Sequence, residues 1–272
     1  MRTTSIKKMI SMNQRTEEIV GYKVDSLGMH ACVLNIVDCV KRPQSSESTG
    51  FCKWLACLNP HSYAVSLDDE RFSQALHAAD WLVPDGAGIV LASKILGGEI
   101  LERVTGSDIF YGVLKELNRM SGYSVFFLGA TDETLTEIRI RMSRDYPNVR
   151  VAGTYSPPFK PFYSIDEQDK MVAEINAAGA DVLWVGMTAP KQEKWLLAMS
   201  PRLNVKFAAA IGAVFDFYTG KVKRSHPMFQ KLGLEWLPRL MQQPSRLWKR
   251  MFVSAPVFVW HVLRKRINNA LL

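Results

Sequence analysis

Four short segments contain residues whose type and position could bind a ligand, and each one follows a β-rich run. They are Cys57-Leu58-Asn59-Pro60, Pro84-Asp85-Gly86-Ala87-Gly88, Gly129-Ala130-Thr131-Asp132 and Gly186-Met187-Thr188-Ala189-Pro190-Lys191-Gln192-Glu193. In an open α/β sheet, ligands bind beyond the carboxyl ends of the strands. Asp85 would place an acid at such an end, although it would serve equally well as the N-cap of the helix that begins near Ile89.

The third and fourth segments have the character of phosphate sites. Gly129 and Gly186 are small residues close to a predicted helix start. Backbone N–H groups and the positive end of the helix dipole at such a start favour the binding of a pyrophosphate. This signal alone is not specific, because such turns commonly contain glycine. The standard nucleotide fingerprints fail: Gly86-Ala87-Gly88 is followed by Leu91 instead of Gly, and Lys221 lies too far from Gly212 for a P-loop. No Asp-x-Asp triplet occurs, so the sequence does not favour dependence on a divalent metal.

The elements that would position these segments alternate between strand and helix from about residue 20 to 215. Candidate strands are Tyr22–Asp25, Phe51–Leu58, Trp81–Pro84, Ser124–Leu128, Val149–Thr154, Asp181–Val185 and Val205–Ile211. Helical patterns include 132–145 and 164–178, the second with Ser164 and Glu167 as a capping box and Gly179 as a stop. The alternation predicts an α/β fold with a parallel sheet.

Composition supports one main globular domain with an appendage. The chain has 272 residues, of which 47% are hydrophobic and 22% charged, enough for a sizeable core. Its four cysteines form no Cys-x-x-Cys pair, so neither a disulfide framework nor a zinc ribbon is indicated. The polar start has no apolar region for export, which predicts a cytoplasmic protein. We expect a polar leader at 1–19, an α/β core at 20–225 and an appendage at 226–272.

Positive charge is concentrated in the last fifth of the chain. The formal net charge is +8, but eleven Lys or Arg and one acid, Glu235, follow residue 220, so the preceding part carries −2. Aromatic and leucine side chains lie between these cations, which favours an anionic membrane surface over nucleic acid. The most apolar run, 251–263, is too short to span a bilayer, which takes roughly 20 residues. The alternative is that these apolar residues dock the tail on the core.

Together these segments resemble the WecG/TagA/CpsF glycosyltransferase family over about residues 20 to 252. The resemblance is carried by Asn59-Pro60, Ala79-Asp80, Pro84-Asp85-Gly86, Leu96-Gly97-Gly98, the segment from Glu102 to Asp108, Phe127-Leu128-Gly129, the segments 178–181 and 189–195, the segment from Gly212 to Asp216, and the segments 220–224 and 232–237. It implies a Rossmann-like core with a basic, amphipathic, helical C-terminal appendage that closes over the site at the membrane. It also implies an inverting hexosyltransferase that uses a UDP-sugar, needs no metal or other cofactor, and extends a polyprenyl-diphosphate-linked saccharide in cell-surface polysaccharide, antigen or teichoic-acid synthesis.

The resemblance assigns roles to residues of the core. The family's catalytic aspartate falls on Asp85, and a carboxylate at a strand end could take the proton of the acceptor hydroxyl as that oxygen attacks the anomeric carbon. Arg103 and Gln192 match the family's donor-site Arg and Gln, and Asn59 would contact the sugar or nucleotide. Cys57 is a departure, because the family has Thr there and a thiol is a weaker hydrogen-bond partner than a hydroxyl.

In the appendage, the family's basic positions fall on Arg239, Arg246 and Lys249. Lys249 departs from an expected arginine and loses bidentate phosphate geometry, although Arg250 could substitute. Pro244 is expected to break a continuous helix between them. The alternative is that these cations contact only lipid headgroups.

Two alternatives to an enzyme on the inner face of the cell membrane remain. One is a non-catalytic, nucleotide-binding peripheral membrane module of an assembly complex. The other, a nucleic-acid binder, is disfavoured by the acidic core and by the lack of a nucleic-acid motif. The sequence leaves the oligomeric state open, and a homo-oligomer is compatible with it.

Overall fold

The computed structural model describes residues 15–42, 52–222 and 250–271. The strands are β1 (Thr16–Ile19), β2 (Tyr22–Asp25), β3 (Lys53–Leu58), β4 (Trp81–Pro84), β5 (Tyr123–Gly129), β6 (Val149–Tyr155), β7 (Val182–Gly186) and β8 (Phe207–Ala210). The helices are α1 (Met29–Lys41), α2 (Pro60–Asp68), α3 (Glu70–Ala78), α4 (Ala87–Leu96), α5 (Gly106–Met120), α6 (Asp132–Asp145), α7 (Ile165–Ala178), α8 (Lys191–Met199), α9 (Val214–Tyr218) and α10 (Ala255–Ala270). A short 3₁₀ turn, Ser200–Arg202, follows α8, and a π-helical turn, Arg250–Ser254, precedes α10.

Six parallel strands form the central sheet in the order β4-β3-β8-β7-β5-β6. Hydrophobic residues bury both faces of this sheet. Helices α2, α3, α4, α7, α8 and α10 cover one face, while α1, α5, α6 and α9 cover the other. Because both faces are covered, strands such as β4 and β8 are buried along their whole length. The prediction of a Rossmann-like α/β fold with a C-terminal helix is confirmed.

Six of the seven predicted strands lie in this sheet, with ends within two residues of the prediction. The prediction that the seventh, Tyr22–Asp25, belongs to the parallel sheet is wrong: this strand pairs antiparallel with β1, which was not predicted. Val20 and Gly21 both have positive φ, which suits the tight turn between the two strands. The predicted boundary between leader and core at residues 19 and 20 falls inside this hairpin.

Local capping signals set the ends of two helices as predicted. Helix α6 spans 132–145 and is capped by Thr131, whose side chain accepts a hydrogen bond from the N–H of Thr134. Helix α7 has the predicted capping box between Ser164 and Glu167, and it ends at Gly179 in the left-handed conformation. All four cysteines are free thiols.

Helix α10 docks on the core through one face. Phe258 and Val262 are buried, and the Phe258 ring meets the Tyr63 ring of α2 edge-on with centroids 5.3 Å apart. The Tyr63 hydroxyl and His261 Nδ1 form a 2.7 Å hydrogen bond, and Lys265 pairs with Glu18 of β1. None of the helices within the described ranges combines the length and apolar character needed to cross a membrane.

Candidate functional site

Two adjacent cavities lie at the carboxyl edge of the sheet. The inner cavity, of about 290 Å³, is lined by residues that follow β3, β4, β7 and β8 and by the start of α5. The outer cavity, of about 720 Å³, is lined by residues that follow β5, β6 and β7 and by the start of α6. The residues that line both are Gly186, Met187, Thr188, Gly212 and Asp216. The edge predicted to bind ligands is therefore concave, and a ligand could extend across both cavities.

Asp85 lies in the wall of the inner cavity, directly after β4. Its backbone N–H donates to the carbonyl oxygen of Leu58 at 2.8 Å, which ties it to the end of the neighbouring strand. The N-cap of α4 is Gly86, so the alternative in which Asp85 is that N-cap is wrong. The Asp85 carboxylate instead accepts a hydrogen bond at Oδ2 from Asn59 Nδ2, at 3.2 Å.

Asn59 is oriented by the helix that it caps. Its Oδ1 accepts from the backbone N–H groups of His61 and Ser62 at 3.0 and 2.9 Å, and the Ser62 hydroxyl accepts from the Asn59 N–H at 2.7 Å. This capping box holds the amide oxygen towards α2, so the amide nitrogen faces Asp85. Local helix capping therefore fixes the direction from which the Asn59 amide meets the Asp85 carboxylate.

Gln192 and Glu193 form a buried pair in the first turn of α8, in the wall of the inner cavity. Gln192 Oε1 accepts from the N–H of Gly212 at 3.0 Å, and its Nε2 donates to Glu193 Oε1 at 2.9 Å. Burial raises the pKa of Glu193 to about 7. Gln192 is a predicted donor-site residue, whereas Glu193 has no predicted role.

Gly129 and Gly186 stand where a side chain would not fit. Gly129 has φ +111°, and a Cβ there would lie 2.6 Å from the carbonyl oxygen of Gly186. A Cβ on Gly186 would lie 2.3 Å from the Phe215 ring. Both glycines line the outer cavity beside the N-terminus of α6, as expected for a phosphate site. Their contact with a ligand stays a prediction.

Two lysines in the wall of the outer cavity were not predicted as site residues. Lys191 Nζ donates to the carbonyl oxygen of Lys160 at 3.0 Å and to the hydroxyl of Tyr163 at 3.1 Å, and burial lowers its pKa. Lys221 Nζ donates to Thr134 Oγ1 at 2.6 Å, in the first turn of α6. The two cations lie near the positive end of the helix dipole, and the carboxylates of Asp132, Glu133 and Asp216 line the same cavity.

Arg103 is half-buried in the connection between α4 and α5. The N–H of the next residue, Val104, donates to the carbonyl oxygen of Pro84 at 2.9 Å, which brings this connection beside Asp85. Arg103 is not among the residues that line the two cavities. Its donor contact stays a prediction, and Arg239, Arg246 and Lys249 lie outside the described residues.

Cys57 lines the inner cavity next to Asp85. Burial raises the pKa of its thiol well above the usual value, and the carboxylates of Asp85 and Glu193 add to the effect. The residue is therefore a neutral thiol near pH 7.

Within the described part of the chain, no three His, Cys, Asp or Glu residues are grouped as a metal ion would require.

Glu193 gives a stability prediction with a definite sign. Its folded-state pKa of about 7 exceeds the ordinary value of 4.5, so its stabilising contribution is complete below pH 4.5 and is lost as the pH rises through 7. For Glu193→Gln, which does not ionise, we expect the free energy of unfolding relative to wild type to rise by about 3 kcal/mol across that range. Urea unfolding at a series of pH values measures this, and a pH-independent difference would contradict it.

Comparison with known proteins identifies the family of this chain. The sequence model of the WecG/TagA/CpsF glycosyl transferase family matches residues 17–271. A Bacillus spizizenii protein named N-acetylglucosaminyldiphosphoundecaprenol N-acetyl-beta-D-mannosaminyltransferase is 31% identical over 217 residues, which are 80% of this chain and 81% of the relative. Proteins of the same name from Bacillus subtilis and Staphylococcus aureus are 28% and 26% identical, over 79% and 90% of this chain and 80% and 93% of their own lengths. The chain therefore belongs to the WecG/TagA/CpsF family of glycosyltransferases.

Proposed function

We propose that this chain transfers a sugar from a UDP-sugar to a saccharide linked to polyprenyl diphosphate, with inversion at the anomeric carbon and without a metal ion. The observation that carries the proposal is the Asp85 carboxylate, held by Asn59 in the wall of a cavity at the carboxyl edge of the sheet. The relatives are named as N-acetylmannosaminyltransferases that act on N-acetylglucosaminyldiphosphoundecaprenol, which supports the same class of acceptor here.

The outer cavity suits the nucleotide diphosphate of the donor. Its volume of about 720 Å³ falls in the usual range for small-molecule sites. Lys191, Lys221 and the N-terminus of α6 supply positive charge or dipole there, while Gly129 and Gly186 let the ligand approach the backbone. In this arrangement the donor sugar enters the inner cavity, where Asp85 lies.

Transfer then needs one proton acceptor and one stabilised leaving group. Asp85 removes the proton of the acceptor hydroxyl while that oxygen attacks the anomeric carbon from the face opposite to UDP. The bond between the anomeric carbon and the diphosphate oxygen breaks, its electron pair leaves with UDP, and the proton stays on Asp85. Nearby cations and helix N-termini stabilise the charge that develops on the diphosphate. The further cations in this proposal are Arg103, Arg239, Arg246 and Lys249.

The acceptor lipid places the reaction at a membrane surface. We propose that the protein is peripheral on the inner face of the cell membrane and that the appendage, 226–272, contacts anionic lipid. Support comes from the basic charge that follows residue 220 and from helix α10 with its C-cap, Leu271. Trp260, Leu263, Ile267 and Leu271 are exposed on the side opposite to the buried residues of the helix.

Turnover with defined substrates tests this function. A panel of UDP-sugars is offered with short-chain lipid-diphosphate monosaccharides and disaccharides in the presence of EDTA. We expect acceptor-dependent release of UDP with at least one donor and, by NMR of the product, inverted anomeric configuration. Loss of activity in EDTA would contradict metal independence. UDP binding by calorimetry with no transfer from any donor would favour the non-catalytic nucleotide-binding module.

A further inference from the structure

The amide of Gln192 is fixed at both of its ends. Its Oε1 accepts from the backbone N–H of Gly212, and one hydrogen of its Nε2 goes to Glu193 Oε1. A single hydrogen bond would let the amide rotate about the Gly212 contact, whereas two contacts define the plane of the group. The amide nitrogen has a second hydrogen, which neither contact uses.

This orientation matters because Gln192 lines the inner cavity with only 4% of its surface exposed. With the amide plane fixed, the second N–H of Gln192 has a defined direction. With the oxygen and nitrogen exchanged, the amino group would face the N–H of Gly212 and the oxygen would face Glu193 Oε1. The contact with Gly212 is repulsive in either charge state of Glu193, and the contact with Glu193 is repulsive when that carboxyl is ionised, so Gly212 and ionised Glu193 together select the observed arrangement.

Burying the Glu193 side chain at this position lowers the stability of the fold. It is 3% exposed, and its Oε2 is buried without a hydrogen-bond partner in the described structure. An acid in such a position costs folding free energy, whereas an apolar side chain of similar size would avoid that cost. The hydrogen bond that Glu193 accepts from another side chain is the one that holds Gln192.

We propose that Glu193 is a positioning residue for sugar transfer: its Oε1 holds the Gln192 amide so that the second hydrogen of Nε2 is donated to the donor substrate in the inner cavity. This inference rests on the proposed function, because it takes that cavity to bind the donor. In this role Glu193 acts through Gln192, because its Oε1 is bonded to the Gln192 amide and its Oε2 is buried.

A double-mutant cycle separates positioning from a merely structural role. Glu193→Gln keeps an oxygen that accepts from Gln192, and we expect it to retain kcat/KM within about twofold of wild type. Glu193→Met keeps the size but removes the acceptor, and we expect about a 10-fold loss of kcat/KM. In a Gln192→Ala background, Glu193→Met should cause no further loss, because the group through which it acts is gone. Equal losses in the Gln and Met variants, or losses that simply multiply in the double variant, would overturn the proposal.

The amide signal of Gln192 gives a readout that does not depend on turnover. We expect its ¹⁵N side-chain resonances to shift on addition of at least one UDP-sugar of the panel in wild type and Glu193→Gln, but not in Glu193→Met, with melting temperatures recorded in parallel. A wild-type enzyme that transfers no sugar but shows this pattern refutes the proposed function and keeps the positioning role. Unshifted Gln192 signals in wild type, or equal shifts in all three proteins, refute the positioning role whatever the turnover.

Discussion

Asp85→Asn should slow sugar transfer by roughly 10²- to 10⁴-fold, which is the usual contribution of a general base. Asparagine has nearly the same shape as aspartate, and its amide oxygen can still accept the hydrogen bond from Asn59 Nδ2. It cannot take the proton of the acceptor hydroxyl at neutral pH. The loss should therefore appear in kcat, while UDP binding by calorimetry and the melting temperature should stay close to wild type.

A matched control separates the loss of a base from the loss of a negative charge. Asp68→Asn makes the same chemical change on an exposed aspartate at the end of α2, and it should leave kcat unchanged. If Asp85→Asn retains a near-normal rate, the base lies elsewhere. If both variants lose activity to the same degree, the effect belongs to net charge instead of proton transfer.

Much of the fold could be predicted because its signals are local. Buried parallel strands give apolar runs such as Trp81–Pro84, and the capping box of α7 needs only Ser164 and Glu167, three residues apart. The hairpin error has the opposite origin. The run Tyr22–Asp25 looks like any other strand, and what decides its sheet is its partner, Thr16–Ile19, whose sequence TEEI gives little strand signal.

The sequence also predicts some features of the candidate site and leaves others to the structure. Asn59, Asp85, Gly186 and Gln192 could be placed together because the carboxyl ends of parallel strands share one edge of a sheet. Because Asn59 caps α2, its amide oxygen faces the helix. Only the three-dimensional structure shows that its amide nitrogen donates to Asp85.

The remaining contacts of the site join residues that are far apart in the chain. Lys221 meets Thr134 across 87 positions, and Gln192 meets Gly212 across 20. The pKa of Glu193 depends on complete burial, which no spacing rule reports. Sequence reasoning therefore predicts where a ligand binds better than it predicts which neighbours tune the residues that bind it.

Trp260→Ser combined with Ile267→Ser should weaken binding to anionic vesicles by on the order of 100-fold. Both side chains are about 60% exposed, and with Leu263 and Leu271 they form a stripe opposite to buried Phe258 and Val262. At an interface each apolar side chain contributes about 1.5 kcal/mol, and 1.4 kcal/mol corresponds to a tenfold change in affinity. Sedimentation with phosphatidylcholine vesicles, with and without phosphatidylglycerol, measures the change.

The buried face of the same helix provides the control for that experiment. Phe258→Ser should lower the melting temperature, because it removes a ring packed on Tyr63, whereas the stripe variant should melt like wild type. Turnover of a short-chain, water-soluble acceptor should survive in the stripe variant, since Phe258, Val262 and the Tyr63–His261 hydrogen bond still dock α10. Unchanged vesicle binding in the stripe variant would mean that the cations of the appendage, or another surface, hold the protein at the membrane. Loss of soluble-acceptor turnover at a normal melting temperature would instead show that the exposed stripe belongs to the acceptor site.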